Sequence, residues 1–204
     1  MSMENIPKEH QDESERFRIT QLLKKHEVDI FSWGSYEAKT VEHLISEVLS
    51  GESQLLETDQ GELLRVLEVA DGTITYTDSL GAVYKLTEDR QEFADGRVRK
   101  REHLKDISLA EKVAPGEDPK QALLRGIDEE LGITGDIYIV GNPTLDEKQV
   151  ESPSFPGLKT QYRVHKYKLV IGSDSFNPDG YKEQQSDKTT YFIWDYCYSK
   201  PDCY

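Results

Sequence analysis

The side chains best placed to do chemistry lie between Ala114 and Ile133. Glu129 and Glu130 are adjacent carboxylates, Glu117 stands upstream beside Gly116, and Arg125 precedes Glu129 by four residues. Residues three and four apart are neighbours on a helix, so Gly126, Glu129 and Glu130 share one face, near a loop that carries Gly116 and Glu117. Neighbouring carboxylates repel unless a cation or guanidinium sits among them, and Arg125 offsets only part of that repulsion. Such a cluster is suited to Mg²⁺ or Mn²⁺, hard ions that take oxygen ligands and keep several waters.

The element that positions these groups is a helix over Pro119–Leu131 with both ends marked. Asp118 accepts from an early backbone N–H, Pro119 fits a first position where its missing donor matters little, and Gly132 suits a left-handed cap. Leu124, Ile127 and Leu131 recur at helical spacing and are expected to face the core.

Around this helix the chain divides by pattern. Residues 1–13 are polar and aperiodic and read as a disordered lead. A helix is expected from Ser14, as N-cap, to about Val28, and another from Thr40 to Leu49 closed by Gly51, so that 14–61 form an N-terminal helical extension. From Glu62 the alternation becomes that of strands: Leu63–Val69, a turn at Asp71-Gly72, and Thr73–Thr77. Ala82–Leu86 and Arg97–Arg101, with a hairpin turn at Gly96, follow, and Asp136–Val140, Gln161–Ile171 and Thr189–Trp194 lie beyond the central helix. The main domain is thus expected over 62–195, with 196–204 as a tail.

The 111–133 segment resembles the Nudix box, written as G, five residues, E, seven residues, then R-E-U-x-E-E-x-G-U, where U is aliphatic. Glu117, Arg125, Ile127, Glu129, Glu130, Gly132 and Ile133 fall on specified positions. Two positions depart: Glu111 stands at the opening glycine, and Gly126 at the glutamate after the arginine. The resemblance implies an α+β fold, a Nudix-like α/β/α sandwich with a mixed sheet, to which the N-terminal helices are an extension. It also implies a metal-dependent pyrophosphohydrolase acting on a nucleoside diphosphate derivative, with Mg²⁺ or Mn²⁺ as cofactor. Carried over residue by residue, the metal ligands are Glu117, Glu129 and Glu130, and Arg125, Glu129 and Glu130 belong to the catalytic set. Some relatives take a general base from a distant loop, where Glu183 is the candidate ahead of the last strand; an exposed charged loop is the simpler reading.

Gly126 removes a carboxylate from the helix while Glu111 adds one on the loop that the family folds against it, which conserves charge and makes Glu111 a fourth metal-ligand candidate. The competing reading is a solvated Glu111-Lys112 pair beside a decayed site, in a catalytically impaired module that binds a nucleotide or a protein partner without turnover.

Thirty-nine acidic against twenty-five basic residues give a net charge of −14, which excludes nucleic acid and anionic membranes as natural partners. A small nucleotide-type substrate remains compatible when divalent cations stand between its phosphates and the carboxylates. No apolar run opens the chain, so a cytoplasmic address is expected. The two cysteines, Cys197 and Cys203, read as free thiols in a tail, the alternative being that they pair with each other in an oxidising setting. Trp33, Phe155, Tyr162 and Tyr167 are candidates to stack on a base, though each is more often core. Arg90, Arg97, Arg99 and Arg101 are candidates for phosphate contact, though alternating basic residues normally mark the solvent face of a strand. His10, His26, His43, His103 and His165 lack metal-ligand spacing. Oligomeric state is not legible from sequence.

Overall fold

The structure, a computed structural model, describes residues 8–35, 38–101 and 106–198. His103 and Cys203 therefore lie outside the described residues. Contacts divide the chain into two units: one runs to Glu68 and includes Glu147–Arg163, and the other comprises Val69–Asp146 and the chain from Val164 onward. Among the described residues no helix is long and apolar enough to cross a membrane.

The first unit holds α1 (Lys8–Lys25), α2 (Val41–Leu49), β1 (Gln54–Glu57) and the opening of β2 (Leu63–Thr77). The end of β7 (Thr144–Ser152) and the start of β8 (Phe155–Ile171) belong to it as well. The helix α1 starts well before Ser14, so that residue is not its cap, and residues 8–13 are helical rather than part of an irregular lead. Two of its expected apolar residues, Ile19 and Leu23, are buried, while Phe17 is 67% exposed. The start of α2 is set by a reciprocal cap: Thr40 Oγ1 accepts from the His43 N–H, and His43 Nδ1 accepts from the Thr40 N–H. The core of this unit gathers Ile19, Leu23, Trp33, Leu44, Ile45, Leu55, Leu63, Phe155 and Leu158. Glu47 and Arg65 form a buried ion pair at 2.5 Å within it, with Lys39 on the other Glu47 oxygen at 2.7 Å.

The second unit is a sheet in the order β6-β8-β2-β3-β10-β9, from β6 (Ile137–Ile139) through β3 (Val83–Phe93) and β10 (Lys188–Tyr196) to β9 (Tyr181–Gln184). The short strands β4 (Val98–Arg99) and β5 (Leu109–Lys112) pair with β3 and β2. The helix α3 (Pro119–Leu131) packs through Ala122, Leu123, Ile127 and Leu131 against Ala70, Ile74, Leu86, Leu169 and Phe192, and the architecture is α+β. Leu123 is fully buried, whereas Leu124, expected in the core, is only partly so.

Two strands differ from the expected pattern. The Asp71-Gly72 dipeptide is not a turn, because β2 runs without interruption from Leu63 to Thr77 and pairs Asp71 with Ala110 and Gly72 with Leu109. Glycine there permits a close approach: a Cβ on Gly72 would stand 3.0 Å from Leu123 Cδ1 and 3.1 Å from Leu169 Cδ1. Glu183 lies on the strand β9 rather than on a loop, opposite Thr190. The hairpin turn at Gly96 is as expected, with φ +86°, and its strand β4 covers only Val98–Arg99. At the far end of β10, Cys197 is disulfide-bonded and not a free thiol.

Candidate active site

The helix that carries the box residues is built as its caps require. Asp118 Oδ1 accepts from the backbone N–H groups of Lys120 at 3.0 Å and Gln121 at 3.2 Å, Pro119 occupies the first position, and Gly132 closes the helix at φ +67°. Its amide N–H groups are therefore satisfied before any functional side chain is considered.

Arg125 is the hub of the site. Its guanidinium donates to Glu117 through Nε at 3.1 Å and Nη2 at 3.3 Å, to Glu111 at 3.2 Å, to Glu129 at 3.3 Å, and to the Lys112 carbonyl at 3.3 Å. The second Glu117 oxygen also accepts from the Ala114 N–H at 3.0 Å. Hydrogen bonds from Arg125 and Ala114 hold the Glu117 carboxyl below the usual carboxylate range, and the same pairing raises the Arg125 guanidinium above its ordinary value. Because Arg125 and Glu129 are partly or largely exposed, each such pair contributes only about 0–1 kcal/mol, and the network orients side chains more than it stabilises the fold.

Glu111 lies on β5, opposite Ala70, which fixes its backbone on the strand that packs against α3. Its carboxylate stands directly over Gly126: a Cβ built on that glycine would be 3.0 Å from Glu111 Oε2, 3.2 Å from Glu111 Cγ and 3.1 Å from Leu109 Cδ2. The volume left empty by the missing side chain on the helix is thus filled by a side chain from the strand. Burial pushes the Glu111 carboxyl up, with Arg125 pulling the other way.

Glu130 faces a second group of acids. Burial raises its carboxyl to about 8, and the negative charges of Glu183 and Glu111 push in the same direction, while Arg101 opposes them. The structure thus brings Glu111, Glu117 and Glu129 together around Arg125, and Glu130 into electrostatic range of Glu111 and Glu183.

Among the described residues no three His, Cys, Asp or Glu side chains are gathered closely enough to hold a metal ion as they stand. The donor chemistry nevertheless fits a hard divalent cation: the groups are carboxylates, and the charges of Glu183 and Glu111 add to the burial that raises Glu130. Two carboxylates suffice for Mg²⁺, which keeps waters and takes phosphate oxygens for the rest. Glu117 is the least suited of the four candidates, since both of its oxygens already accept from Arg125 and one of them from Ala114.

The aromatic and basic candidates divide differently. Trp33 and Phe155 are core residues of the first unit, with ring centroids 5.1 Å apart, and Tyr167 belongs to the core of the second. Lys148 covers the ring of Tyr162. Arg90 pairs with Asp89 and Glu92 and lies over Tyr191, and Arg97 pairs with Asp95. Arg99 donates to Gln91, and Arg101 to Glu88. Sequence reasoning missed Glu88, whose side chain is 6% exposed; a carboxylate in the middle of a strand carries no local signal. A chain of half-buried rings, Tyr84, Tyr76, Phe176, Trp194 and Tyr181, was missed as well.

No protein-family model matches the chain, and no curated protein matches it in sequence. Solved structures do show similarity. A possible asymmetric diadenosine tetraphosphate hydrolase from Jonesia denitrificans is 18% identical, over 64% of this chain and 76% of that one, with a TM-score of 0.42. An Ap4A hydrolase of C. elegans in a binary complex is 20% identical over 64% and 79%, with a TM-score of 0.37. The Nudix hydrolase RenU of M. smegmatis is 12% identical over 70% and 79%, with a TM-score of 0.33. The functional reading rests on the residues of the site and not on these likenesses.

Proposed function

We propose that the second unit is a metal-dependent pyrophosphohydrolase of the Nudix type, acting on a nucleoside diphosphate derivative, with a carboxylate relocated from the helix to β5. One observation carries this reading: Glu111 Oε2 lies 3.0 Å from where the Cβ of residue 126 would stand, so the charge absent from the box is supplied at the same place from the facing strand. Glu111 and Glu130 are the residues that would hold Mg²⁺ or Mn²⁺, with Glu129 reached by release from Arg125. A divalent cation so held would neutralise the diphosphate and lower the pKa of attacking water. Arg125 orients Glu117 and Glu129, and Glu183 on β9, within electrostatic range of Glu130, is the candidate to take a proton from the nucleophile.

The test is a panel of ADP-ribose, NADH, dinucleoside polyphosphates, nucleoside triphosphates and coenzyme A with Mg²⁺ or Mn²⁺, scored for phosphate-bearing products. Turnover of at least one compound is expected, reduced about a hundredfold or more by Glu111→Gln, in the range of losses seen when a group stabilising transition-state charge is removed. Full activity of Glu111→Gln would overturn the relocation. A second reading, binding of a nucleotide without turnover, is favoured by the engagement of Glu111, Glu117 and Glu129 with Arg125. It predicts a thermal shift with metal plus nucleotide and no product from any compound of the panel.

A further inference from the structure

The sheet register assembles a second half of the carboxylate basin that the box does not contain. Thr190 pairs with Gln91 on one side and Glu183 on the other, and Phe192 pairs with Glu88 and Tyr181. Directly paired residues share a face, as do residues two apart on one strand, so Glu88, Gln91 and Glu183 all lie on the face of Phe192. That face is the one beneath α3, because Phe192 packs in the same core as Leu123 and Ile127. Glu88 reaches it through an irregularity in the β3–β10 register beside Tyr191 and Phe192.

Into this basin comes Arg101, from just beyond β4. Its Nε donates to Glu88 Oε1 at 2.8 Å and its Nη2 to Glu88 Oε2, a forked pair with the arginine side chain 32% exposed and the glutamate 6%. Gln91, itself buried, approaches Glu88 at 3.5 Å and accepts two hydrogen bonds from Arg99. Arg101 is thus held in the basin by its fork on Glu88.

We infer that Arg101 is a built-in counter-cation of the active site, forked on Glu88 and opposing through its charge the entry of a divalent metal at Glu130, so that it sets the metal's affinity. The inference rests on the metal-dependent reading above. A guanidinium is permanently charged and cannot leave by losing its proton, so a metal entering the basin must do so against its field or displace its fork from Glu88. The electrostatics agree: burial works against the Arg101 charge, yet Glu88, Glu130 and Glu183 together hold its pKa above the ordinary value. Arg101 is a positioning residue in this scheme and makes no bond to substrate.

The experiment is a titration of Mn²⁺ alone, without nucleotide, followed by the electron paramagnetic resonance of free Mn²⁺ at low ionic strength. Arg101→Gln is expected to tighten binding by about tenfold or more, the least expected when one charge is removed from a partly buried cluster, and the gain should shrink as salt is added. Arg101→Lys, which keeps the charge, should stay within about threefold of the native chain. A residue that merely supported the fold would weaken binding when lost, or leave it unchanged. Should Arg101→Gln fail to fold with Glu88 left unpaired, the comparison moves to a Glu88→Gln background, where adding Arg101→Gln must again tighten Mn²⁺. Equal or weaker affinity without Arg101, in a folded chain that binds Mn²⁺, overturns the inference alone. Absence of Mn²⁺ binding in the native chain and in every variant overturns both it and the metal-dependent reading.

Discussion

If Glu111 fills the space that Gly126 vacates, the two positions must be energetically coupled, and a double-mutant cycle with Gly126→Ala and Glu111→Ala measures the coupling. Alanine in a helix interior is favoured over glycine by about 1 kcal/mol. In the native background that gain meets contacts at 3.0 and 3.2 Å with Glu111 and 3.1 Å with Leu109. Glu111 cannot retreat freely, since its other oxygen accepts from Arg125 and its backbone is paired with Ala70. Overpacking of this kind costs about 1–3 kcal/mol, so Gly126→Ala alone is expected to be neutral or destabilising by up to about 2 kcal/mol. With Glu111 cut back to alanine only the flexible Leu109 methyl remains in the way, and the same substitution should then stabilise by a few tenths to about 1 kcal/mol. The coupling is therefore about 0.3–3 kcal/mol, with its middle at about 1.5, in the sense that the pair is more stable than the sum of its parts. Urea unfolding followed by Trp194 emission, in a Trp33→Phe background common to all four proteins, reports on the unit that contains the site. Additivity within about 0.5 kcal/mol, the scatter of independent positions, would refute the placement of Glu111 over the helix.

Glu130 makes stability depend on pH. Its folded pKa of about 8 lies above its ordinary 4.5, so the folded state binds more protons in that window. Its contribution is fully present below about 4.5 and is lost as pH rises through about 8. Unfolding free energy should therefore fall across that interval, with a slope no steeper than about 1.4 kcal/mol per pH unit, and Glu130→Gln should flatten it. A wild-type profile that rises or stays level over the same range counts against the burial and charge environment assigned to this carboxyl. Binding of Mn²⁺ at neutral pH should release close to one proton, read from the buffer dependence of the binding enthalpy, and Glu130→Gln should abolish the release. Gly72→Ala, which places a methyl 3.0 Å from Leu123 and 3.1 Å from Leu169, should destabilise by about 1–2 kcal/mol in thermal unfolding; a stabilised protein would mean that the Asp71-Gly72 segment is not the close approach it is taken to be.

What could be read from the chain alone was what short-range rules determine. The limits of α3 follow from Asp118, Pro119 and Gly132, whose caps act within a turn, and they agree with the structure at both ends. The Asp71-Gly72 dipeptide misled because the same two residues serve a tight turn or a crowded strand. Only Leu123 and Leu169, about 51 and 97 positions further on, decide which. Phe17 is apolar and helical yet 67% exposed, because its burial depends on which face of α1 the rest of the unit covers. Residues 147–163 join the first unit through Phe155 and Leu158, a long-range association with no counterpart in local pattern. The candidate site splits along the same line. Arg125, Glu129 and Glu130 were visible through helical spacing and Glu117 through its place ahead of the helix, whereas Glu88 enters through strand register and brings Arg101 with it.

The charges of the site show why that second group matters. Glu88, Glu111, Glu117, Glu129, Glu130 and Glu183 face Arg101 and Arg125, six carboxylates against two guanidiniums. Such an excess is tolerable in a partly buried place only if something neutralises it, and with protein groups alone that role falls to the proton raised onto Glu130. A proton and a guanidinium are both replaceable by a divalent ion that brings more charge to the same oxygens. The proposed function therefore does not depend on a glutamate at position 126. Under the proposed function, the carboxylate on β5 replaces the missing one, and the metal affinity is set by how firmly Arg101 and the Glu130 proton hold their places.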